Sequence, residues 1–204
     1  SKKIPVVFTA HGWSFTPGNP AWRRLIGLLA ERLIFPRTAK VICVSDYDLQ
    51  LAKHAGFRPT AKLIVIHNGI ETEDTAFLED KFHTARTQIV FVGRLDKQKA
   101  PEQLIKAFSQ LPDEVRTKAD VVIAGGGPKT TLLMELVSRY GLQDQVKLLG
   151  DLPRERVWQL LRASQIFVLP SNWEGLPLTI LEAMASSTAV IASDVGGVKE
   201  AIGG

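Results

Sequence analysis

Two glutamates, Glu174 and Glu182, bracket the segment EGLPLTILE. Pro177 suits the first turn of a helix because its missing N–H would be unpaired there, and Leu178, Ile180, Leu181, Ala183 and Met184 supply helix-forming, core-facing residues. A helix that starts there opens out of the glycine-containing loop at Gly175 and Leu176, and presents unpaired N–H groups and the positive end of its dipole to an anion such as phosphate. Thr179 falls in the same first turn. Glu182 stands about 7.5 Å along the helix axis from Pro177, so the two carboxylates are too far apart for the nucleophile and acid of a retaining glycosidase, which stand ~5 Å apart. Two separated acceptors around a phosphate site suit an extended ligand with a polyol at each end, and a nucleotide sugar is such a ligand. A plainer account also stands, in which Glu174 is solvated and Glu182 faces water.

A second loop, GRLDKQKAPEQLIKAF, carries cations. Gly93 permits a tight turn, Arg94 offers a rigid fork of donors for phosphate, and Lys99 adds a point charge before a helix expected to open at Ala100 or Pro101. Together they could neutralise a diphosphate leaving group without a metal ion, or they could be ordinary surface cations. His11 directly follows an apolar run and precedes Gly12. Asp46, Tyr47 and Asp48 form a DXD pattern that elsewhere binds a metal, but they follow Ser45, so a serine N-cap with two acids in the first helical turn is the simpler reading. AGGGPKTT lacks the spacing of a phosphate loop and of a dinucleotide fingerprint, which leaves NAD a weak option. His54 and His83 show no zinc-ligand spacing.

The elements that must hold these residues alternate regularly. Strands are predicted at 5–10, 40–44, 62–66, 88–92, 120–124, 145–149, 165–169 and 188–193, and helices near 20–35, 46–56, 100–110, 129–140, 153–163, 177–186 and 197–202. Most of the strands are continuous Val/Ile/Leu runs, as in parallel strands buried on both faces. This is an α/β chain with doubly wound parallel sheets. The acidic segment 70–85 breaks the rhythm and reads as a linker between a first unit, 1–69, and a second, 86–204. Ligands of such sheets bind beyond the carboxyl ends of the strands.

Composition sets the outer limits. The 204 residues are 45% hydrophobic and 23% charged, which excludes disorder, collagen and coiled coil as global answers. Cys43 is the single cysteine, inside VICV, so it reads as a small buried hydrophobe. Apolar stretches such as LIGLLA fall far short of the ~20 residues that span a bilayer, and no signal peptide is visible. The expected location is cytoplasmic. Residues 1–69 hold ten Lys and Arg against three Asp and Glu, an excess that would attract phosphates or anionic lipid. Nucleic acid is not expected, because no binding signature accompanies the charge. The chain opens SKKIPVVF without methionine and stops at AIGG, so it reads as part of something longer.

The motifs GRLDKQK, VVIAGGGP, VKLLGDL, IFVLPSNWEGLPLTILEAMA and VIASDVGGVKE, in that order, resemble the donor domain of the GT-B retaining glycosyltransferases of family 4, the group 1 glycosyltransferases. Glu174 to Glu182 is similar to that family's EX7E motif. FTAHG, VICVS and VIHNGI resemble, less tightly, the late part of its N-terminal domain. The resemblance implies two Rossmann-like doubly wound parallel sheets facing a cleft, both incomplete here, with the acceptor-side domain at 1–69 and the nucleotide-sugar domain at 86–204. It implies a retaining transfer of a sugar from a UDP- or GDP-sugar, with no metal required, to a glycan, lipid-linked or small acceptor, as in polysaccharide biosynthesis. By resemblance Arg94 and Lys99 hold the diphosphate beside Gly93, and Glu174 contacts the donor sugar. Glu182 holds the ribose, and the backbone of Gly175, Leu176, Pro177, Leu178 and Thr179 lies near sugar and phosphate. His11 reaches the sugar, and Asp151 and Leu152 lie near the base. Departures from the family pattern are His67 for the usual proline, Glu71 for aspartate, Ala100 and Ser187 for glycine, and Ala189 for proline. Alternatives are a sugar nucleotide epimerase of the same fold and a catalytically silent nucleotide-sugar binding module.

The segment AWRRLIGLLAERLIF is expected to turn Trp22, Leu25, Ile26, Leu29 and Leu33 to the core, with Arg23, Arg24 and Glu31 away from it. Leu28 and Phe35, on the other side among arginines, are then expected first to pack against further N-terminal elements, with a contact to the inner membrane face or a lipid-linked acceptor as the alternative.

Overall fold

The computed structural model describes residues 4–71 and 86–203. Most of the expected linker, at 72–85, lies outside these residues, as does His83. Two compact units form. One comprises Ser1–Gly69, Trp173–Pro177 and Asp194–Gly204, the other Ile70–Asn172 and Leu178–Ser193.

The elements in chain order are β1 (Val7–Ala10), α1 (Ala21–Ile34), β2 (Lys40–Cys43), α2 (Asp46–His54), β3 (Leu63–Val65) and β4 (Thr87–Val92). Then come α3 (Glu102–Ser109), α4 (Asp113–Arg116), β5 (Ala119–Ala124), α5 (Thr130–Arg139) and β6 (Val146–Gly150). The chain continues with α6 (Arg154–Ala163), β7 (Ile166–Leu169), α7 (Leu178–Ala185), β8 (Ala189–Ala192) and α8 (Val198–Ile202). The expected strands and helices are all present. Helix α4 is an addition, a single turn after Pro112, too short to carry a periodic signal. Short 3-10 turns at Phe35–Arg37 and Thr60–Lys62 also went unanticipated.

In the first unit β1, β2 and β3 form a parallel sheet in that order. Val41 pairs with Phe8 on one side and Leu63 on the other. Ala10, Val41, Cys43 and Ala52 meet an aromatic cluster in which Phe57 lies 5.2 Å from Trp13, 5.7 Å from Phe15 and 5.0 Å from Phe35 between ring centroids. Burial pushes the Cys43 thiol up to about 11, in keeping with a buried hydrophobe.

Helix α1 corrects the expected orientation. Trp22 is 64% exposed and Leu33 69%, and Leu25, Ile26 and Leu29 are exposed too, whereas Phe35 is 5% exposed and Leu28 packs on the core. The inward side carries Arg24, Gly27, Leu28 and Glu31. Arg24 Nε donates to Phe15 O at 3.2 Å and Ser14 N donates to Glu31 Oε1 at 3.2 Å. A Cβ on Gly27 would lie 1.8 Å from Ser14 Oγ, so the helix seats against the 13–16 loop through its glycine. Apolar residues lie on both sides of this helix, and the buried side is chosen by the loop's need for polar partners and close approach. The Leu28 and Phe35 pair is therefore core and not a membrane contact.

In the second unit the five parallel strands run β6-β5-β4-β7-β8. Val90, Phe91, Val121, Ile123, Phe167 and Leu169 fill the sheet, covered by Ile105 and Phe108 of α3, Leu133 of α5, Leu161 of α6 and Ile180 of α7. The strand order changes direction between β4 and β7, which is the switch point where open α/β sheets bind ligands.

Candidate functional site

At that switch point the loops after β4 and β7 are tied together. Asn172 N donates to Gln98 O at 2.7 Å and Asn172 Nδ2 donates to Lys97 O at 2.6 Å. The loop after β4 is organised by Asp96, which accepts from Lys99 N at 3.0 Å and pairs with the Arg94 guanidinium at 3.1 Å. Arg94 also donates to Gln98 Oε1 at 3.1 Å. Its side chain is 71% exposed, so the fork is oriented by its own loop and open to an anion. Lys99 is half-buried, and Gly93 lies against its stem, with a Cβ there 3.7 Å from Lys99 Cγ and Cδ. The helix behind opens at Glu102, with Pro101 as N-cap. This is one to two residues later than the sequence suggests, because Ala100 takes a positive φ of 46°.

The three glycines of AGGGP let neighbouring loops approach. A Cβ on Gly125 would stand 2.0 Å from Gly93 O, one on Gly126 2.6 Å from Asp151 Oδ2, and one on Gly127 2.6 Å from Leu95 O. Gly93, Lys99 and Asp151 therefore gather beyond the carboxyl ends of β4, β5 and β6, with Leu152 half-buried next to the exposed Asp151. Leu178 and Thr179 form the first turn of α7, and Glu182 lies one turn further on, half-buried. Burial pushes the Glu182 carboxyl above its ordinary value, partly countered by the Arg154 charge.

In the first unit, His11 is exposed after β1, while Glu174 is 5% exposed and Leu176 and Pro177 are buried. A Cβ on Gly175 would meet His11 O at 3.3 Å, Gly12 N at 3.5 Å and Asp48 Oδ2 at 3.3 Å. Asn68 Nδ2 holds Leu176 O at 2.9 Å. Gly197 N donates to Gly175 O at 2.8 Å, and a Cβ on Gly196 would fall 1.9 Å from Glu174 O. The backbone from Glu174 to Leu176 is thus fixed on several sides.

The DXD residues separate. Ser45 caps α2, accepting from Asp48 N at 3.0 Å, as expected, and Asp46 is exposed. Glu200 closes the same helix end, accepting from Asp46 N at 2.6 Å and Tyr47 N at 2.8 Å. Asp48 is fully buried, and desolvation with the nearby Glu200 charge raises it to about 6 although the Ser45 hydrogen bond lowers it. Sequence reasoning did not single out Asp96, Asn172, Asn68, Gly196, Gly197 or the burial of Asp48. The first five stand inside the quoted motifs as glycines or small amide and carboxylate side chains at loop positions. No local signal separates Asp48 from its exposed neighbour.

Family models describe both parts of the chain. The model for glycosyl transferases group 1 matches residues 74–203, and that for glycosyltransferase family 4 matches residues 1–74. The chain belongs to the group 1 glycosyl transferases. It is 35% identical over 155 residues to an uncharacterized glycosyltransferase of Methanocaldococcus jannaschii, covering 71% of this chain and 39% of the relative. To the D-inositol 3-phosphate glycosyltransferase of Mycobacteroides abscessus it is 30% identical over 218 residues, covering 98% of this chain and 48% of the relative. The crystal structure of Anabaena HepE in complex with UDP-glucose superposes with a TM-score of 0.80 at 24% identity, covering 96% of this chain and 55% of that one. This group 1 member has the GT-B fold that its sequence led us to expect. The chain spans about half the length of the curated relatives it matches, or less. The family match does not favour the epimerase or the silent binding module.

Proposed function

We propose that this chain is the back part of the acceptor domain and most of the donor domain of a retaining glycosyltransferase, which moves a sugar from a nucleotide diphosphate donor to an acceptor. The observation that carries the reading is the pair of loops at the β4/β7 switch point, joined through Asn172, with Arg94 held by Asp96 and Gln98 and with Lys99 beside it. Two cations on a rigid loop suit a diphosphate whose negative charge grows as the glycosidic bond breaks, and they can do so without a metal ion. Gly93 and the first turn of α7, Leu178 and Thr179, complete the phosphate subsite with backbone amides.

Glu182 accepts from the ribose hydroxyls, and Asp151 and Leu152 flank the base. His11, Glu174 and the backbone of Gly175, Leu176 and Pro177 meet the donor sugar. The donor is a UDP- or GDP-sugar. The HepE complex with UDP-glucose, a protein of the same fold, supports the first. The acceptor is a glycan, a lipid-linked sugar or a small molecule. A cytoplasmic setting with contact to anionic lipid fits the basic excess of residues 1–69.

Calorimetric titration with UDP, GDP and ADP in the presence of a chelator tests the reading. Selective binding of one nucleotide is the expected result, and Arg94→Ala and Lys99→Ala should each weaken it about tenfold or more. If the full-length protein, shown to be folded, binds none of them, the reading fails. Flotation with anionic liposomes checks the lipid contact, and no retention would remove it.

A further inference from the structure

Asp48 is the first-turn acid that is fully buried, and it lies where three backbone segments of the first unit meet. Its Oδ2 accepts from Ser45 Oγ at 2.8 Å, and its carbonyl accepts from Trp13 Nε1 at 2.9 Å. Oδ1 is buried and has no hydrogen-bond partner among the described residues. The same carboxylate abuts Gly175, where a Cβ would stand 3.3 Å from Oδ2 and 3.3 Å from His11 O. Ser45, which holds the carboxylate, abuts Gly197, and Gly197 N in turn holds Gly175 O at 2.8 Å. A half-satisfied buried carboxylate is a poor way to stabilise a core, since an apolar residue of similar size would do so better. Its position supplies another reason for its presence.

We propose that Asp48 is a positioning residue, whose carboxylate, clamped by Ser45, sets the spacing of the His11 and Gly175 backbones and so shapes the sugar-facing part of the donor site. The inference rests on the reading that His11 and Gly175 meet the donor sugar. Asp48 itself is fully buried, so it acts through those two residues. The diphosphate and the ribose are assigned to Arg94, Lys99 and Glu182 and the sugar to His11 and Gly175, so the effect is selective for the sugar.

The test compares nucleoside diphosphates with their sugars in the full-length protein: calorimetric affinities for UDP, UDP-glucose, GDP and GDP-mannose. Asp48→Ala should weaken the sugar nucleotide that binds by about tenfold, the loss of roughly one hydrogen bond between the sugar and a displaced backbone. The matching diphosphate should stay within about twofold, and Asp48→Asn, which keeps an acceptor for Ser45, should recover the parental sugar affinity to within about threefold. Ser45→Ala removes the hydroxyl that clamps the carboxylate and should give the same selective loss, so it carries the test if Asp48→Ala does not fold.

Asp48→Ala or Ser45→Ala binding both ligands as the parent does, or losing both equally, overturns the inference and leaves the glycosyl-transfer reading intact. A parent that binds neither diphosphate nor sugar nucleotide overturns that reading, and this inference with it.

Discussion

Gly196 sits directly on the Glu174 carbonyl: a Cβ at that glycine would lie 1.9 Å from the oxygen, and its φ of 57° is in the left-handed region. The DVGG turn is therefore the surface on which the Glu174–Gly175 backbone is laid. Gly196→Ala must move one of two backbones and hold an alanine at positive φ, which should lower stability by about 2 kcal/mol or more. Denaturant unfolding measures the loss. A change under about 0.5 kcal/mol, within the range of ordinary surface substitutions, would mean that the turn yields freely.

Glu182 titrates in a window set by its burial. Its carboxyl is raised above its ordinary 4.5, with the Arg154 charge opposing, so as pH falls the proton arrives earlier than on a solvated glutamate. If the ionised form accepts the ribose hydroxyls, nucleoside diphosphate affinity should decline as pH drops from neutral towards and through that raised value. Glu182→Gln should flatten the profile and weaken binding about tenfold at neutral pH. Glu174→Ala should spare the diphosphate. Titrations at several pH values check all three.

Asp48 has the opposite relation to stability from a salt-bridged acid. Its folded value, about 6, lies above the unfolded 3.8, so its contribution is fully present below the unfolded value and is lost as pH rises through the folded one. The ionised group therefore works against folding at neutral pH by about 3 kcal/mol, taking ~1.4 kcal/mol per unit. Asp48→Asn should be more stable than the parent near pH 7.5 by about 1–3 kcal/mol, with the gap closing below about pH 4. Equal stabilities across that range would show that the burial carries no such cost.

Among the described residues Ala100 and Ser187 are the non-glycine positions with positive φ, 46° and 55°. Each carries a Cβ that a left-handed backbone disfavours by about 1–2 kcal/mol. At the exposed Ser187 the change to glycine relieves this strain, and Ser187→Gly should stabilise by about 0.5–1 kcal/mol. Ala100 is 1% exposed, so Ala100→Gly forfeits about 0.8 kcal/mol of methyl burial and should come out near neutral. Thermal melts of the two variants distinguish these outcomes.

The sheets were legible because continuous runs such as DVVIA and QIFVL have few other uses in a chain of this rhythm, and their helices follow at fixed intervals. Helix α1 was not, because Trp22 and Leu28 are equally apolar, and only the approach of Gly27 to Ser14 reveals which side is buried. The cations and glutamates of the candidate site were legible as chemistry from their types and motif context. What organises them was not: Asn172 on the Lys97 and Gln98 carbonyls and Gly125 against Gly93 are contacts between loops far apart in sequence, and Asp96 under Arg94 depends on how their shared loop turns. Asp46 and Asp48 differ by half a helical turn and one is exposed while the other is buried, a distinction set by what packs over α2 and absent from local pattern.

Cys43 gives the molecule a reporter of its own opening. The single thiol of the chain is fully buried in β2 and held protonated up to about pH 11, so an alkylating reagent reaches a reactive thiolate only when the three-stranded sheet comes apart. Its modification rate in native buffer, divided by the rate in denaturant, therefore reads the opening equilibrium of the first unit alone. Any ligand that engages His11 or Gly175 should slow that rate in proportion to its occupancy, without a label having to be introduced.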